Sequence, residues 1–576
     1  MTSESIYQII DSNRGVSGII IVFIYIFLAL LFGYLISNYI SKLYMDEEDK
    51  TWLYPLSGRV TNFFEKLLGE DKNKKMKFKD YFLNLLIFNA AAGVIAFIAI
   101  YFQRFFPFYD DNKMGLSLTF NTVVSFLTNT DLEHFSNPLK LSIFSWTFSI
   151  MGLMFLSAAT GFAASMAFVR GIRNDDGFIG NFYHDFLVSL FYLIFPLSIL
   201  GAVIFILAGV PETLRAYIDV YPLFSSGPEK LPLGPIATFI AIKYVGTNGG
   251  GIYGANAAYP LGNPNWFTNI VSYILLIIIP TGSIMALGRV FIKRFANMLV
   301  YVLFTIFAIT SLMTYLSEFI GIPEISALGS YSGNMIGKEV YLGLAPTVMF
   351  QVGSVFTSTG AASGSIISYT PVGILGLLIN LVLNDPLGGV GTGVINIFTY
   401  VIFTVFISSL MVGKLPEIMS IRIGSREMKY STIALLSHPL IVLIPLGVTL
   451  LIPGVMETFL NGHASNITNL LYEFASAASN NGSEAGGFLT DSNYFNYLDG
   501  IIMLLGRYLI LGIQLLLAQQ FAFKKPKSEY TRATIDIGSP AFGFMLFAVI
   551  IMIGLLSYLP VFALGPLYSW ARAFGI

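Results

Sequence analysis

Four short runs of small polar residues stand out in this chain: Thr128-Asn129-Thr130-Asp131, Gly246-Thr247-Asn248-Gly249-Gly250-Gly251, Thr357-Ser358-Thr359-Gly360-Ala361 and Ser479-Asn480-Asn481-Gly482-Ser483. Each follows an apolar stretch too short to cross a bilayer, at 121–127, 236–245, 347–356 and 467–474. With Asn129, Asn248, Thr359 and Asn481 taken as equivalent, the intervals are 119, 111 and 122 residues. A repeat at near-constant spacing is an architectural signal. Thr, Asn, Ser and Gly in extended strands supply oxygen ligands. Strands meeting on one axis can offer rings of backbone carbonyls that replace the hydration shell of an alkali cation. Gly permits the backbone conformation that turns carbonyls inward. Hydroxyl and amide side chains can brace the strands, and pore helices can aim their C-terminal partial negative charge at the cavity. The glycine run alone is compatible with a flexible turn. It is not a phosphate loop, because no G-x-x-x-x-G-K-[ST] pattern is present.

These loops need a membrane scaffold to hold them. Charged residues make up 11% of the chain and hydrophobic ones 55%, whereas soluble domains carry about 25% charge. A bilayer span takes about 20 apolar residues. Ten candidates occur, at 16–40, 81–105, 141–169, 186–210, 267–290, 299–320, 373–410, 433–452, 501–518 and 542–564. The first is too long for a signal-peptide core and reads as a retained helix. The seventh is interrupted by Asn384-Asp385-Pro386 and by Gly388, Gly389, Gly391 and Gly393, a break tolerated only where protein or water shields it. The fold expected is therefore an all-α polytopic membrane protein with four covalently linked helix–pore loop–helix repeats around one pore. The divisions are 1–80 (first span and cytoplasmic linker), 81–180, 181–295, 296–425 and 426–530 (repeats one to four) and 531–576 (last span).

Loops on one side hold 22 of the 32 Lys and Arg residues, nine lie on the other side, and Arg507 sits within a span. The basic side is expected to be cytoplasmic, which puts both termini outside the plasma membrane. Net charge is -1, so no basic field invites nucleic acid. Cysteine is absent, excluding thiol chemistry and thiolate metal sites.

The run from Ile242 through Gly251, continuing to Asn263-Pro264-Asn265, resembles the second filter of the KdpA family of potassium-translocating subunits. Asn121-Thr122 with Thr128-Asn129-Thr130 resembles the first filter, and Ser476-Ala477-Ala478 through Ser483 the fourth. Gly388-Gly389-Val390-Gly391-Thr392-Gly393 with Met411-Val412-Gly413-Lys414-Leu415-Pro416-Glu417 resembles the family's broken seventh helix and cytoplasmic exit. Ala563-Leu564-Gly565-Pro566 resembles its closing motif. The resemblance implies potassium bound at Thr128, Asn129, Thr130, Gly246, Thr247, Asn248, Gly249, Gly250, Ser358, Thr359, Gly360, Asn480, Asn481 and Gly482. It implies gating near Gly388, Gly389, Gly391, Gly393 and Arg507. It also implies a P-type ATPase partner, KdpB, together with KdpC and KdpF, and ATP hydrolysis in the partner, since no Asp-Lys-Thr-Gly motif or nucleotide-binding domain occurs here. The alternative is a self-sufficient, gradient-driven transporter or channel of the same superfamily. Asp131, Thr359, Ile366-Ile367-Ser368 and Glu473 depart from the family pattern.

Other residues carry two readings. Arg507 is a fixed charge near the ion path, the reading favoured by the cost of burying it, or a partner for a carbonyl or carboxylate. Lys243 neutralises a helix dipole or reaches out to water. Asp385 stabilises a half-helix end more readily than it gates. His134, His184, His438 and His463 show no ligand spacing and read as surface or structural residues. Residues 46–80 read as a solvated linker.

Overall fold

The computed structural model describes residues 3–71, 74–108, 113–222, 227–323, 333–384, 386–457, 459, 463–524 and 535–576. Asp385 lies outside them, as does the side chain of His463. Ten helices among the described residues are long and apolar enough to span a bilayer: Gly15–Tyr44, Phe78–Tyr101, Ser145–Arg173, Phe182–Leu207, Trp266–Val290, Lys293–Ile320, Thr392–Val412, Ser425–Leu450, Asn493–Ala522 and Pro540–Ala573. Helices satisfy their own backbone groups, as a membrane demands. Boundaries move by several residues from those the sequence predicts, and the broken segment resolves into Pro371–Val382 followed by Thr392–Val412.

Burial separates inner from outer spans. In span three, 83% of the apolar window is buried, and in span five 72%; in the first and last spans the share is 22%. The outer spans present Phe23, Phe27, Leu35, Phe544 and Met552 outward, a face suited to lipid. Span one lies along span five through small residues. A Cβ added at Gly33 would sit 2.3 Å from Thr281 Cγ2, and one at Gly282 2.3 Å from Ile36 Cγ2, the close approach that glycine permits between membrane helices.

Four shorter helices precede the polar runs: Leu116–Leu127, Ile236–Val245, Leu344–Phe356 and His463–Ser479. The first, third and fourth are longer than the sequence predicts. All four are lodged inside the bundle.

The described residues of 46–80 are not simply a solvated linker. They include a helix, Tyr54–Leu68, that buries Ser57, Gly58, Thr61 and Glu65. Ser57 donates to the Phe191 carbonyl at 2.9 Å, and Glu65 Oε1 lies 2.6 Å from His184 Nδ1. Beside them Arg170 joins Asp46 at 2.5 Å and Asp185 at 2.8 Å, and Arg173 joins Asp46 at 2.6 Å. Burial pushes the Asp46 carboxyl up, but Arg170 and Arg173 outweigh it and hold the group below its usual range.

Candidate cation filter and gate

Each pore helix ends in the same way. The N–H of Thr130 donates to the Ser125 carbonyl at 2.9 Å, Asn248 to Lys243 at 2.9 Å, Thr359 to Ser354 at 2.8 Å and Asn481 to Ser476 at 2.9 Å. Every one is the six-to-one closure of a Schellman cap. The preceding residue, Asn129, Thr247, Ser358 or Asn480, has φ of 62, 47, 52 or 54°. A β-branched or serine side chain in that left-handed region is uncommon, so the fourfold recurrence marks an imposed conformation. Two residues on, φ is positive again, at Asp131 (56°), Gly249 (101°), Gly360 (74°) and Gly482 (96°). In a β-strand successive carbonyls alternate sides. Alternating the sign of φ instead turns consecutive carbonyls toward one side.

This pattern corrects the repeat register. Asn129 corresponds to Thr247, Ser358 and Asn480, and Asn248 to Thr130, Thr359 and Asn481, giving intervals of 118, 111 and 122 residues.

The strands abut in cyclic order. A Cβ at Gly249 would lie 1.5 Å from the Thr359 carbonyl oxygen, one at Gly360 1.9 Å from that of Asn481, and one at Gly482 1.8 Å from that of Thr130. Strand two therefore meets three, three meets four, and four meets one. Strands one and two meet through side chains: Asn129 Nδ2 donates to the Thr247 carbonyl at 2.7 Å, and Asp131 Oδ2 accepts from the Gly250 N–H at 3.4 Å. The ring closes.

Side chains at the left-handed positions brace it further. Ser358 Oγ lies 3.0 Å from the carbonyls of Ser479 and Asn480. Asn480 Nδ2 donates to Thr130 Oγ1 at 2.9 Å. Thr247 differs: its Oγ1 accepts from the Val390 N–H at 3.0 Å, tying strand two to the break in the seventh helix. There Gly388, Gly391 and Gly393 allow contacts no side chain would fit. A Cβ would fall 2.3 Å from Gly393 Cα, 2.5 Å from the Gly161 carbonyl oxygen and 1.7 Å from the Leu387 carbonyl oxygen respectively. Gly389 packs less tightly, 2.9 Å from Thr247 Oγ1.

Arg507 is buried and donates to the Ser157 carbonyl at 2.9 Å. Ser157 Oγ in turn donates to Asn129 Oδ1 at 2.9 Å. The guanidinium also stands beside Gly161, whose added Cβ would be 2.9 Å from Arg507 Nη2 and 2.6 Å from the Val390 carbonyl oxygen. Arg507 therefore serves a backbone carbonyl and stands near the broken helix.

Lys243 does not reach outward to water. It is buried, and its Nζ donates to Asn256 Oδ1, whose Nδ2 donates to the Gly249 carbonyl at 2.9 Å. Asn256 thus braces the strand after the second pore helix, a contact that sequence reasoning missed. Its φ of 52° and a position seven residues past Gly249 give no motif to read. His134, read as a surface or structural residue, is not at the surface. It is buried against Glu473 and Asp499, partners far away in sequence. His438 meets Tyr558 at 3.1 Å in a buried pair.

The comparisons bear on this arrangement. Residues 21–570 match the family described as KdpA, the potassium-transporting ATPase A subunit. A potassium-transporting ATPase potassium-binding subunit of Thermoplasma volcanium is 58% identical, over 100% of this chain and 98% of the relative. The subunit of the same description from Thermoplasma acidophilum is 57% identical over 98% and 96%, and one from Staphylococcus aureus is 34% identical over 95% and 98%. Among solved structures, the potassium transporter TrkH from Vibrio parahaemolyticus superposes with a TM-score of 0.51 at 15% identity, covering 88% of this chain and 99% of that one. It shows the shared fold. The chain thus belongs to the KdpA family, the A subunits of potassium-transporting ATPases.

Proposed function

We propose that this chain binds extracellular potassium in its four-strand filter and passes it to an ATP-hydrolysing partner subunit of a potassium uptake pump. The observation that carries the reading is the ring itself: four Schellman-capped pore helices, each followed by alternating φ signs, with strands touching in cyclic order. Carbonyls so placed can replace water around a dehydrated cation. The chemistry is coordination; no bond is made or broken on this chain. Filter residues are Thr128, Asn129 and Thr130, Gly246 through Gly250, Ser358 through Gly360, and Asn480 through Gly482. The break at Gly388–Gly393 and Arg507 form the gate, with Thr247 linking filter to break. A fixed guanidinium there opposes free leak of cations by like-charge repulsion in a low-dielectric site. The partners are KdpB for hydrolysis, KdpC and KdpF. The basic loops face the cytoplasm and both termini lie outside. The repeats divide at residues 81, 181, 296, 426 and 531.

Co-expression with a candidate P-type ATPase subunit tests the coupling. The expected result is a stable complex whose ATP hydrolysis rises with potassium. Potassium flux into vesicles by this chain alone, driven by an ion gradient and without a partner, would replace the pump reading with a self-sufficient transporter.

A further inference from the structure

His134, Glu473 and Asp499 come together from three elements: the chain leaving the first filter strand, the fourth pore helix and the start of span nine. All three side chains are fully buried. His134 Nε2 lies 3.5 Å from Asp499 Oδ2 and 3.8 Å from Glu473 Oε1, and one ligand atom from each residue falls within 4.8 Å of the others. Neither distance is a hydrogen bond. Both oxygens of Glu473, both of Asp499 and the histidine Nε2 have no hydrogen-bond partner. Glu484, after the fourth filter strand, and Glu133 each add one more buried, unpartnered oxygen, and Glu484 is close enough to act electrostatically on all three residues.

The histidine tautomer is readable. Asn496 uses its amide nitrogen toward Ser117 Oγ and Asp491 Oδ1, both at 3.2 Å, so its oxygen is the acceptor facing His134 Nδ1 at 2.7 Å. Nδ1 therefore carries the proton. An imidazole held this way by its second nitrogen presents Nε2 as a metal ligand. An imidazolium would set one positive charge among several carboxylates and still leave most of their oxygens unpaired, an expensive state for buried charge. A cation gives each of the three residues a partner at one ligand atom. Bonds of about 2.1 Å in a tetrahedral site separate neighbouring ligand atoms by roughly 3.4 Å, near the two distances observed. Nitrogen with carboxylate oxygen suits a borderline divalent ion better than an alkali ion.

We propose that His134, Glu473 and Asp499 form a divalent-metal site of the Zn2+ class, separate from the potassium filter. Because His134 continues the first filter strand and Glu473 sits on the fourth pore helix, the ion would pin the two together.

The test uses the assembled complex, dialysed against chelator and then titrated with ZnCl2, with bound metal counted per complex. The native complex is expected to hold one more Zn2+ than complexes carrying Glu473→Gln or Asp499→Asn, with affinity at least tenfold weaker in the variants. Co2+ in place of Zn2+ should give a visible absorption band that His134→Gln removes. Chromatographic assembly confirms that each near-isosteric variant is folded; if one carboxamide variant fails to assemble, the other and His134→Gln decide the matter. Equal metal content in native and variant complexes overturns the proposal. So does a native cluster that takes up no Zn2+, which would be an imidazolium–carboxylate cluster, or Zn2+ displaced stoichiometrically by potassium.

Discussion

Gly360→Ala probes the proposed filter at a single atom. An added methyl would stand 1.9 Å from the Asn481 carbonyl oxygen and 2.7 Å from its carbon. Contacts below 3.0 Å do not persist, so that carbonyl must retreat by at least about 1 Å from the ring. Gly360 also has φ of 74°, where an L-residue costs roughly 1–2 kcal/mol. An interaction between a dipole and a full charge contributes about 1.5–3 kcal/mol. If the ring binds potassium as proposed, losing one such carbonyl weakens apparent affinity about 10- to 150-fold. The assay is potassium-stimulated ATP hydrolysis by the assembled complex, read as the half-saturating potassium concentration. Gly69→Ala is the control, since Gly69 has φ of 68° but nothing within 4 Å. It carries the backbone strain without the clash and should leave potassium dependence unchanged. If assembled Gly360→Ala complex keeps its half-saturating potassium within about twofold of native, the carbonyl-ring argument is wrong.

Thr247→Ala removes the acceptor of the buried Val390 N–H, an orphaning that costs about 1–3 kcal/mol. Thermal unfolding should fall for Ala and recover for Ser; equal values for the two would deny the link. Arg507→Gln should raise ATP-independent potassium leak into proteoliposomes, while an unchanged leak would reduce Arg507 to a carbonyl partner. Because the folded-state pKa of Asp46 is depressed, after burial is outweighed by Arg170 and Arg173, its contribution is full above the ordinary carboxylate range near pH 4 and is lost as pH falls through the folded value. Asp46→Asn should therefore lower thermal stability at pH 7, with the gap to native closing on acidification; a gap constant with pH contradicts this. With no native cysteine, single cysteines at exposed Trp52 and Tyr221 test orientation. An impermeant maleimide should label only position 221 in intact cells, and the reverse pattern inverts the topology.

The ten spans are legible in the sequence because span length and hydropathy follow directly from the bilayer. The break at Gly388–Gly393 is equally plain, since no lipid-facing helix tolerates it. The register of the filter is less so. Asn129 and Asn248 share a side chain, yet the cap bonds pair Asn248 with Thr130; the equivalence lies in backbone hydrogen bonding, which side-chain identity does not encode. Long-range partners are the least legible. His134 meets residues from the fourth repeat, and Asn256 reaches back to Gly249 through a turn with no signature. Glu473 is visible in the sequence as an oddity in a pore helix, but only the fold supplies the histidine and second carboxylate around it. Lys243 looks like a snorkelling residue until packing closes over it.

Anomalous scattering from the assembled complex soaked in Rb+ or Tl+, both potassium surrogates, addresses the central claim most directly. The account predicts a peak on the axis enclosed by the carbonyls of Thr130, Asn248, Thr359 and Asn481, diminished in Gly360→Ala. Ion density confined to another part of the chain, with none between these four strands, would contradict it.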